Sequence, residues 1–332
     1  MTIPLLPDGQ MWRLSVAPMI DVTDRHSRFF HRLLAPRALL YTEMITTGAL
    51  LHGDQARHLD FDAAEHPVAL QLGGSDPQAL AASARLGEQW GYDEINLNCG
   101  CPSERVQKGA FGACLMAEPH LVADCVKAMQ DAVAVPVTVK HRLGLDYSES
   151  YDFVRDFVGI LFQAGCRVFT VHARNAVLKG LSPKDNREIP PLRYDVAASL
   201  KADFPGALFV LNGGIAQAEQ AVALEQQFDG VMLGRAAWHT PAVLTDIHRC
   251  LWESDVLLDD DAVIDHMQAY AAGQVQAGVP LRIVLKSLLG WPHGKKGARQ
   301  WRRTLTDPAL LSQNDAGLLA QAWQELKRQN DA

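Results

Sequence analysis

Eight short apolar and β-branched runs, each followed by a polar or Gly-rich turn and an amphipathic stretch, predict an α/β chain. The expected architecture is a (β/α)8 TIM barrel with a C-terminal all-helical domain. The runs start roughly 20 to 45 residues apart, the length of a strand plus a crossover helix. Together they span about 240 residues, the usual size of such a barrel. Past Asp246 the runs cease and only helical periodicity continues. Residues 1–245 are therefore expected to form the catalytic barrel and 246–332 the helical domain. A doubly wound open sheet shows the same alternation and stays the competing fold, because closure is not written in any one strand.

Strands are expected at Leu14–Met19, Ala38–Met44, Val68–Leu72, Glu94–Asn98, Val137–His141, Arg167–His172, Ala207–Asn212 and Gly230–Gly234. Ser75-Asp76 offers capping side chains ahead of a helix over Pro77–Trp90. Leu121, Val122, Cys125, Val126 and Met129 recur close to a 3.6 period and predict a helix over Pro119–Ala132. Ser150–Ala164 and Gln217–Gln227 read the same way. In the tail, helices are expected over Asp261–Ala277, Leu281–Leu289, Gly297–Leu305 and Asn314–Gln329.

Composition narrows the function. Hydrophobic residues make up 48% and charged residues 21% of the 332, near the globular average, which excludes a disordered chain. No apolar run reaches the roughly 18 residues of a membrane span. The N-terminus lacks a basic region followed by an apolar core, so a cytoplasmic protein is expected. Six cysteines in such a chain are expected to be reduced, and Cys99-Gly100-Cys101 has neither the spacing nor the second pair of a zinc site. No metal is expected. The net charge of −7 taken alone argues against a nucleic-acid partner, but Arg282, Lys286, Lys295, Lys296, Arg299, Arg302 and Arg303 fall within 23 residues that hold no acid.

In a parallel barrel the active site forms at the C-terminal ends of the strands. Read in order, those ends give Pro18-Met19, Glu43, Gln71, Asn96 and Asn98, Lys140 and Arg142, His172 and Arg174, Asn212-Gly213-Gly214, and Gly234-Arg235. One polar strand end is what any loop supplies; a polar or Gly-rich group at nearly every end is not. Lys140 closes the apolar run Pro136-Val-Thr-Val, so its charge must meet an anion or an electron-rich ring. Asn-Gly-Gly-Ile, then Leu-Gly-Arg-Ala about 20 residues on, fall after strands seven and eight, where such barrels hold phosphate. Cys101 sits in a Gly/Pro loop beside a strand end, placed to act on a ligand. With no His beside it in sequence to make it a strong nucleophile, it reads as a proton donor. Cys99 points the opposite way on an extended chain and reads as structural.

These residues resemble a known family. Leu97-Asn98-Cys99-Gly100-Cys101-Pro102 with Gly112-Ala113-Cys114-Leu115 is similar to the signature of the tRNA-dihydrouridine synthases. Ala17-Pro18-Met19, Val139-Lys140-His141-Arg142-Leu143-Gly144 and Asn212-Gly213-Gly214-Ile215 add to it, in the expected order along nearly the whole chain. His172-Ala173-Arg174 and the run Gly180 to Leu192 resemble the A branch of the bacterial family, which reduces D-loop uridines at positions 20 and 20a.

The resemblance implies an FMN-binding barrel and a helical domain that grips tRNA. Pro18, Met19 and Ile20 would border the flavin ring, with Gln71, Lys140 and His172 in contact with it. Asn212, Gly213, Gly214, Gly234 and Arg235 would hold its phosphate. NADPH would reduce FMN, hydride would pass to C6 of the uracil, and Cys101 would protonate C5. Asn98 would help hold the uracil. Val22 and Val177 stand where this branch is expected to carry aromatic residues.

The basic island then has a use. Gln300 and Arg303 are spaced i, i+3 and share a helix face, while Lys184 and Arg187 lie in the loop after strand six. All four are expected to meet RNA, with Trp291 and Trp301 interleaved among the charges. The competing activity is an FMN-dependent reductase of a small free pyrimidine or enoate, which would need no basic helical tail. A monomer is expected.

Overall fold

The computed structural model of this protein describes residues 10–147 and 150–331. Eight parallel strands form the barrel: β1 (Leu14–Val16), β2 (Leu39–Tyr41), β3 (Val68–Gly73), β4 (Glu94–Cys99), β5 (Val137–Arg142), β6 (Val168–His172), β7 (Leu208–Asn212) and β8 (Gly230–Leu233). β1 pairs with β2 on one side and β8 on the other, and β2 pairs with β3, so the ring is closed. The doubly wound alternative is thereby excluded.

Two strands fall short of their expected length. β1 stops before Pro18, which has no N–H to give a ladder. The second run splits after Tyr41. The Thr42 hydroxyl accepts the N–H of Gln71 at 3.0 Å, a side chain standing in the ladder. Only Ile45–Thr46 returns to pair, outside the ring, with Leu72–Gly73.

Helices cover the outside: α1 (Arg25–Leu34), α2 (Pro77–Gln89), α3 (Pro119–Gln130), α4 (Tyr151–Gln163), α5 (Tyr194–Asp203), α6 (Ala218–Glu225) and α7 (Ala242–Leu251). Asp76 caps α2 through the Ala79 N–H at 2.7 Å. α7 runs through the expected division at 245/246. It lies against α6 and α1, so it takes the place of the barrel's last helix.

The helical domain holds α8 (Asp260–Gln276), α9 (Ala298–Leu305) and α10 (Gly317–Asp331), with short turns between them. Trp301 and Trp323 meet edge to face at 6.1 Å, and Trp291 meets Trp323 at 6.5 Å. Trp291 also reaches Phe30 of α1 at 5.0 Å, and Phe29 stacks on Tyr270 at 3.9 Å. α1 thus carries the helical domain on its outer face. This corrects the expectation for the two interleaved tryptophans: Trp291 and Trp301 are buried in the domain core and present no aromatic face to a ligand. Among the described residues no helix is long and apolar enough to cross a membrane.

Trp301 is fully buried and its indole N–H donates to the Leu288 carbonyl at 2.9 Å. Trp301→Ala should cost about 3–5 kcal/mol, read as a lowered urea midpoint; an unchanged midpoint would mean that this domain does not unfold with the measured transition.

Candidate active site

A polar column fills one side of the barrel interior. Glu94, Asn96 and Asn98 alternate inward along β4, beside Thr138 and Lys140 of β5 and Gln71 of β3. At the top, the N–H groups of Gly100 and Cys101 both donate to Asn98 Oδ1, at 3.1 and 3.0 Å. A backbone N–H can only donate, so this end fixes the rest. Asn98 Nδ2 must face Gln71 Oε1 (2.8 Å), and Gln71 Nε2 then faces Asn96 Oδ1 (2.7 Å). Asn96 Nδ2 donates to Thr138 Oγ1 (2.7 Å), whose own proton goes to Glu94 Oε1 (2.6 Å). Tyr41 and the Trp12 indole also donate to Glu94, at 2.7 and 2.6 Å. The thiol-bearing loop is thus tied to the barrel floor by an unbroken chain of hydrogen bonds.

Cys101 is held from its other side too. Its carbonyl accepts the Ala113 N–H at 2.9 Å. A Cβ on Gly112, whose φ is +78°, would lie 2.6 Å from that carbonyl oxygen, so only glycine allows the approach. Cys101 is half-buried, whereas Cys99 is fully buried, as the strand parity required.

Lys140 stands at the centre of the mouth. Its Nζ donates to Asn212 Oδ1 at 3.2 Å, and Asn212 Nδ2 donates to the Met232 carbonyl at 2.8 Å. Burial pushes the ammonium down to about 7; the Arg142 charge adds to this and the Cys101 side opposes it. Burial first, then Arg142 and Lys140, holds the His172 imidazole well below its ordinary value, so it is neutral at pH 7. Pro18 and Met19 are half-buried at the rim and Ile20 is exposed.

The N–H groups of Gly213 and Gly214 have no acceptor among the described residues. Their Cβ positions would collide with His172 and Leu192, so loop packing and positive φ demand glycine here, and the donors are left for a ligand. A Cβ on Gly234 would meet nothing closer than 3.9 Å. Lys140, His172, Gly213, Gly214 and the open space at Gly234 fit the phosphate and ring of a flavin. Gln71 is buried and its amide bonds Asn96 and Asn98 once each, which leaves one N–H on Nε2 and one lone pair on Oε1 over. Arg235 pairs with Glu188 at 2.5 Å.

Arg142 and Asn186 organise the wall beside the mouth. Arg142 Nε donates to the Gly100 carbonyl at 3.2 Å, and its Nη1 to the carbonyls of Asn175 and Asn186, at 3.1 and 2.9 Å. Asn186 is fully buried and exchanges bonds with Val177 at 2.7 and 2.9 Å, folding the loop after β6 onto itself. Gln107 Nε2 joins the Pro102 and Leu178 carbonyls at 2.8 and 2.9 Å. Residue-by-residue reading gave Glu94, Thr138, Asn186 and Gln107 no role. The inward period of two on β4 was the one signal for Glu94.

Of the seven cations in the basic island, five are exposed without an ion-pair partner among the described residues: Arg282, Lys296, Arg299, Arg302 and Arg303. Lys295 pairs with Asp260, and Lys286 donates to the Asp21 carbonyl on the loop after β1. Gln300 and Arg303 are both exposed on α9, and Lys184 and Arg187 are exposed in the loop after β6. The structure therefore leaves all four accessible.

A family profile described as dihydrouridine synthase matches residues 15–328. A Pseudomonas putida protein named tRNA-dihydrouridine(20/20a) synthase is 57% identical over 295 residues, covering 89% of this chain and 88% of that one. One of the same name from Synechocystis is 52% identical and covers 97% of each. Among solved structures, a 2-naphthoyl-CoA reductase complex matches with a TM-score of 0.54 and 13% identity, over 72% of this chain and 50% of that one, a likeness of fold alone.

Asn98→Ala would strand two loop N–H groups at a cost of about 1–3 kcal/mol each. Hydrogen exchange at Gly100 and Cys101 should then quicken at least about tenfold. Unchanged exchange would show that Arg142 and Ala113 suffice to hold the loop.

Proposed function

We infer that this chain, which belongs to the dihydrouridine synthase family, reduces the C5=C6 bond of uridine to 5,6-dihydrouridine at positions 20 and 20a of the tRNA D-loop. The observation that carries the reading is Cys101 on a fastened loop at the same mouth as Lys140. Bound FMN would supply the hydride that C6 receives, with NADPH as its reductant. Lys140 supplies positive charge where negative charge collects, and His172 packs as a neutral donor or acceptor. Gly213, Gly214, Gly234 and Arg235 hold the phosphate, and Pro18, Met19 and Ile20 border the ring.

Cys101 keeps its proton until charge builds on the far carbon. It then releases that proton to C5 from the face opposite the hydride, so each carbon gains one hydrogen. Its position depends on Asn98, which sits between the thiol loop and Gln71.

The uridine must leave its stacked loop, at a cost of a few kcal/mol. Contacts of Lys184, Arg187, Gln300 and Arg303 with the folded tRNA, together with the exposed cations around α9, offset that cost. The helical domain is the tRNA-binding unit, and its division from the barrel falls after α7. The protein works as a cytoplasmic monomer.

Unmodified tRNA incubated with the protein and NADPH should gain dihydrouridine at positions 20 and 20a, mapped by mass spectrometry. Cys101→Ala should bind FMN and tRNA normally and lose most turnover; unchanged turnover would remove Cys101 from the chemistry. A free pyrimidine reduced while tRNA is left untouched would favour a small-molecule reductase.

The low value for Lys140 sets a pH dependence. Below about pH 7 the amine is already charged and anion binding takes up no proton. Above it, setting a charged amine against the anionic reduced ring takes up a proton, so affinity for reduced FMN should fall by up to about tenfold per pH unit. Fluorescence titrations between pH 6 and 9 would show this, and Lys140→Met should flatten the dependence.

A further inference from the structure

A small cavity of about 170 Å³ opens between the loops that follow β5 and β6. Leu143, Tyr147, Tyr151, Ile189, Pro190 and Arg193 are among its lining. We propose that it receives the nucleobase next to the reduced uridine, stacked against Tyr147. This rests on the tRNA reading above and deepens it.

Four observations converge on that occupant. Tyr147 is 77% exposed and Ile189 60% exposed, two of only six large hydrophobic side chains so exposed among the described residues, and both line this one cavity. An exposed aromatic ring beside an apolar recess is a stacking platform for a base. The volume lies well below the roughly 300–1,000 Å³ of pockets that take larger ligands. It suits one planar ring and not a whole nucleotide.

The cavity also shares a wall with the mouth. The Arg142 guanidinium donates to Gly100, next to Cys101, and to Asn175, which lines the cavity. One guanidinium therefore separates the thiol loop from the recess. The charge around it favours RNA. Residues 174–193 hold five cationic side chains and two acids, Asp185 engaged by Ser182 and Glu188 by Arg235; Arg193 pairs with Asp195, and Asp146 in the lining accepts the Leu178 N–H.

The chemistry supplies the need. Extruding a uridine breaks its stacking with the bases on either side, and one of these must find another surface. A base caught at Tyr147 would brace the strand where it turns into the mouth. It would also help set which uridine enters.

The test uses the full-length, flavin-loaded protein and tRNA carrying an abasic residue on one side or the other of the target. For the wild type, one of the two abasic substrates should raise KM about tenfold while kcat stays within about twofold. Tyr147→Ala should show the same tenfold loss on intact tRNA and no further loss on that abasic substrate. Tyr147→Phe, which keeps the ring, should restore the wild-type KM. Flavin content should be equal in all three. Losses that multiply, or a Tyr147→Ala protein indistinguishable from wild type on intact tRNA, would overturn the proposal and leave the function standing. A flavin-loaded wild type that makes no dihydrouridine in intact tRNA would overturn both.

Discussion

A carboxylate with no cation beside it among the described residues closes the floor of the barrel, and the arrangement of the interior follows from it. Burial drives Glu94 up from its ordinary value, opposed by the hydrogen bonds from Thr138, Tyr41 and Trp12. A buried acceptor of that strength must be given donors, and each donor then has a fixed direction. Thr138 turns its proton down, Asn96 turns its amide nitrogen to Thr138, and the order repeats through Gln71 to Asn98. The Asn98 carbonyl oxygen is thereby left pointing up, where Gly100 and Cys101 need an acceptor. A structural demand at one end of the barrel and the fastening of the thiol loop at the other are met by the same five side chains.

The mouth has the opposite electrostatic problem. Lys140, Arg142, Arg174, Arg187 and Arg235 crowd around it, and each acts on another of them or is acted on by one. The protein balances part of that charge itself. Glu188 takes Arg235, and main-chain carbonyls take Arg142 and Arg174. Lys140 is left with one amide oxygen. An anion arriving at the mouth therefore meets a charge that the fold has desolvated without neutralising, which is where electrostatic attraction counts most.

α1 joins the two halves. Its Arg28 makes a buried pair with Glu65 at 2.5 Å, and its His26, Phe29 and Phe30 dock the helical domain. Lys286 of that domain reaches back to Asp21, in the loop that carries Met19 and Ile20. The proposed RNA-binding unit and the proposed flavin edge are thus in direct contact.

The sequence by itself determined the eight strands, because parallel strands buried on both faces are apolar runs of recognisable length. It also determined most of the helices and the residues at the strand ends, because loop chemistry there departs from the apolar interior. The signature around Cys101 and Lys140 was legible as a family resemblance. Closure of the barrel was not, since it depends on β2 pairing with both β1 and β3, a fact about distant segments. α1 also escaped notice: its buried face carries His26, Arg28, His31 and Arg32, so its pattern looks polar until Glu65 and Tyr270 supply partners. Trp301 read as a possible RNA contact because its neighbours in sequence are cations, and packing against Trp323 turned it inward. Glu94 looked like an ordinary strand start. Only the closed barrel brings Trp12, Tyr41 and Thr138 to it from three other segments, and without those donors the charge could not lie there.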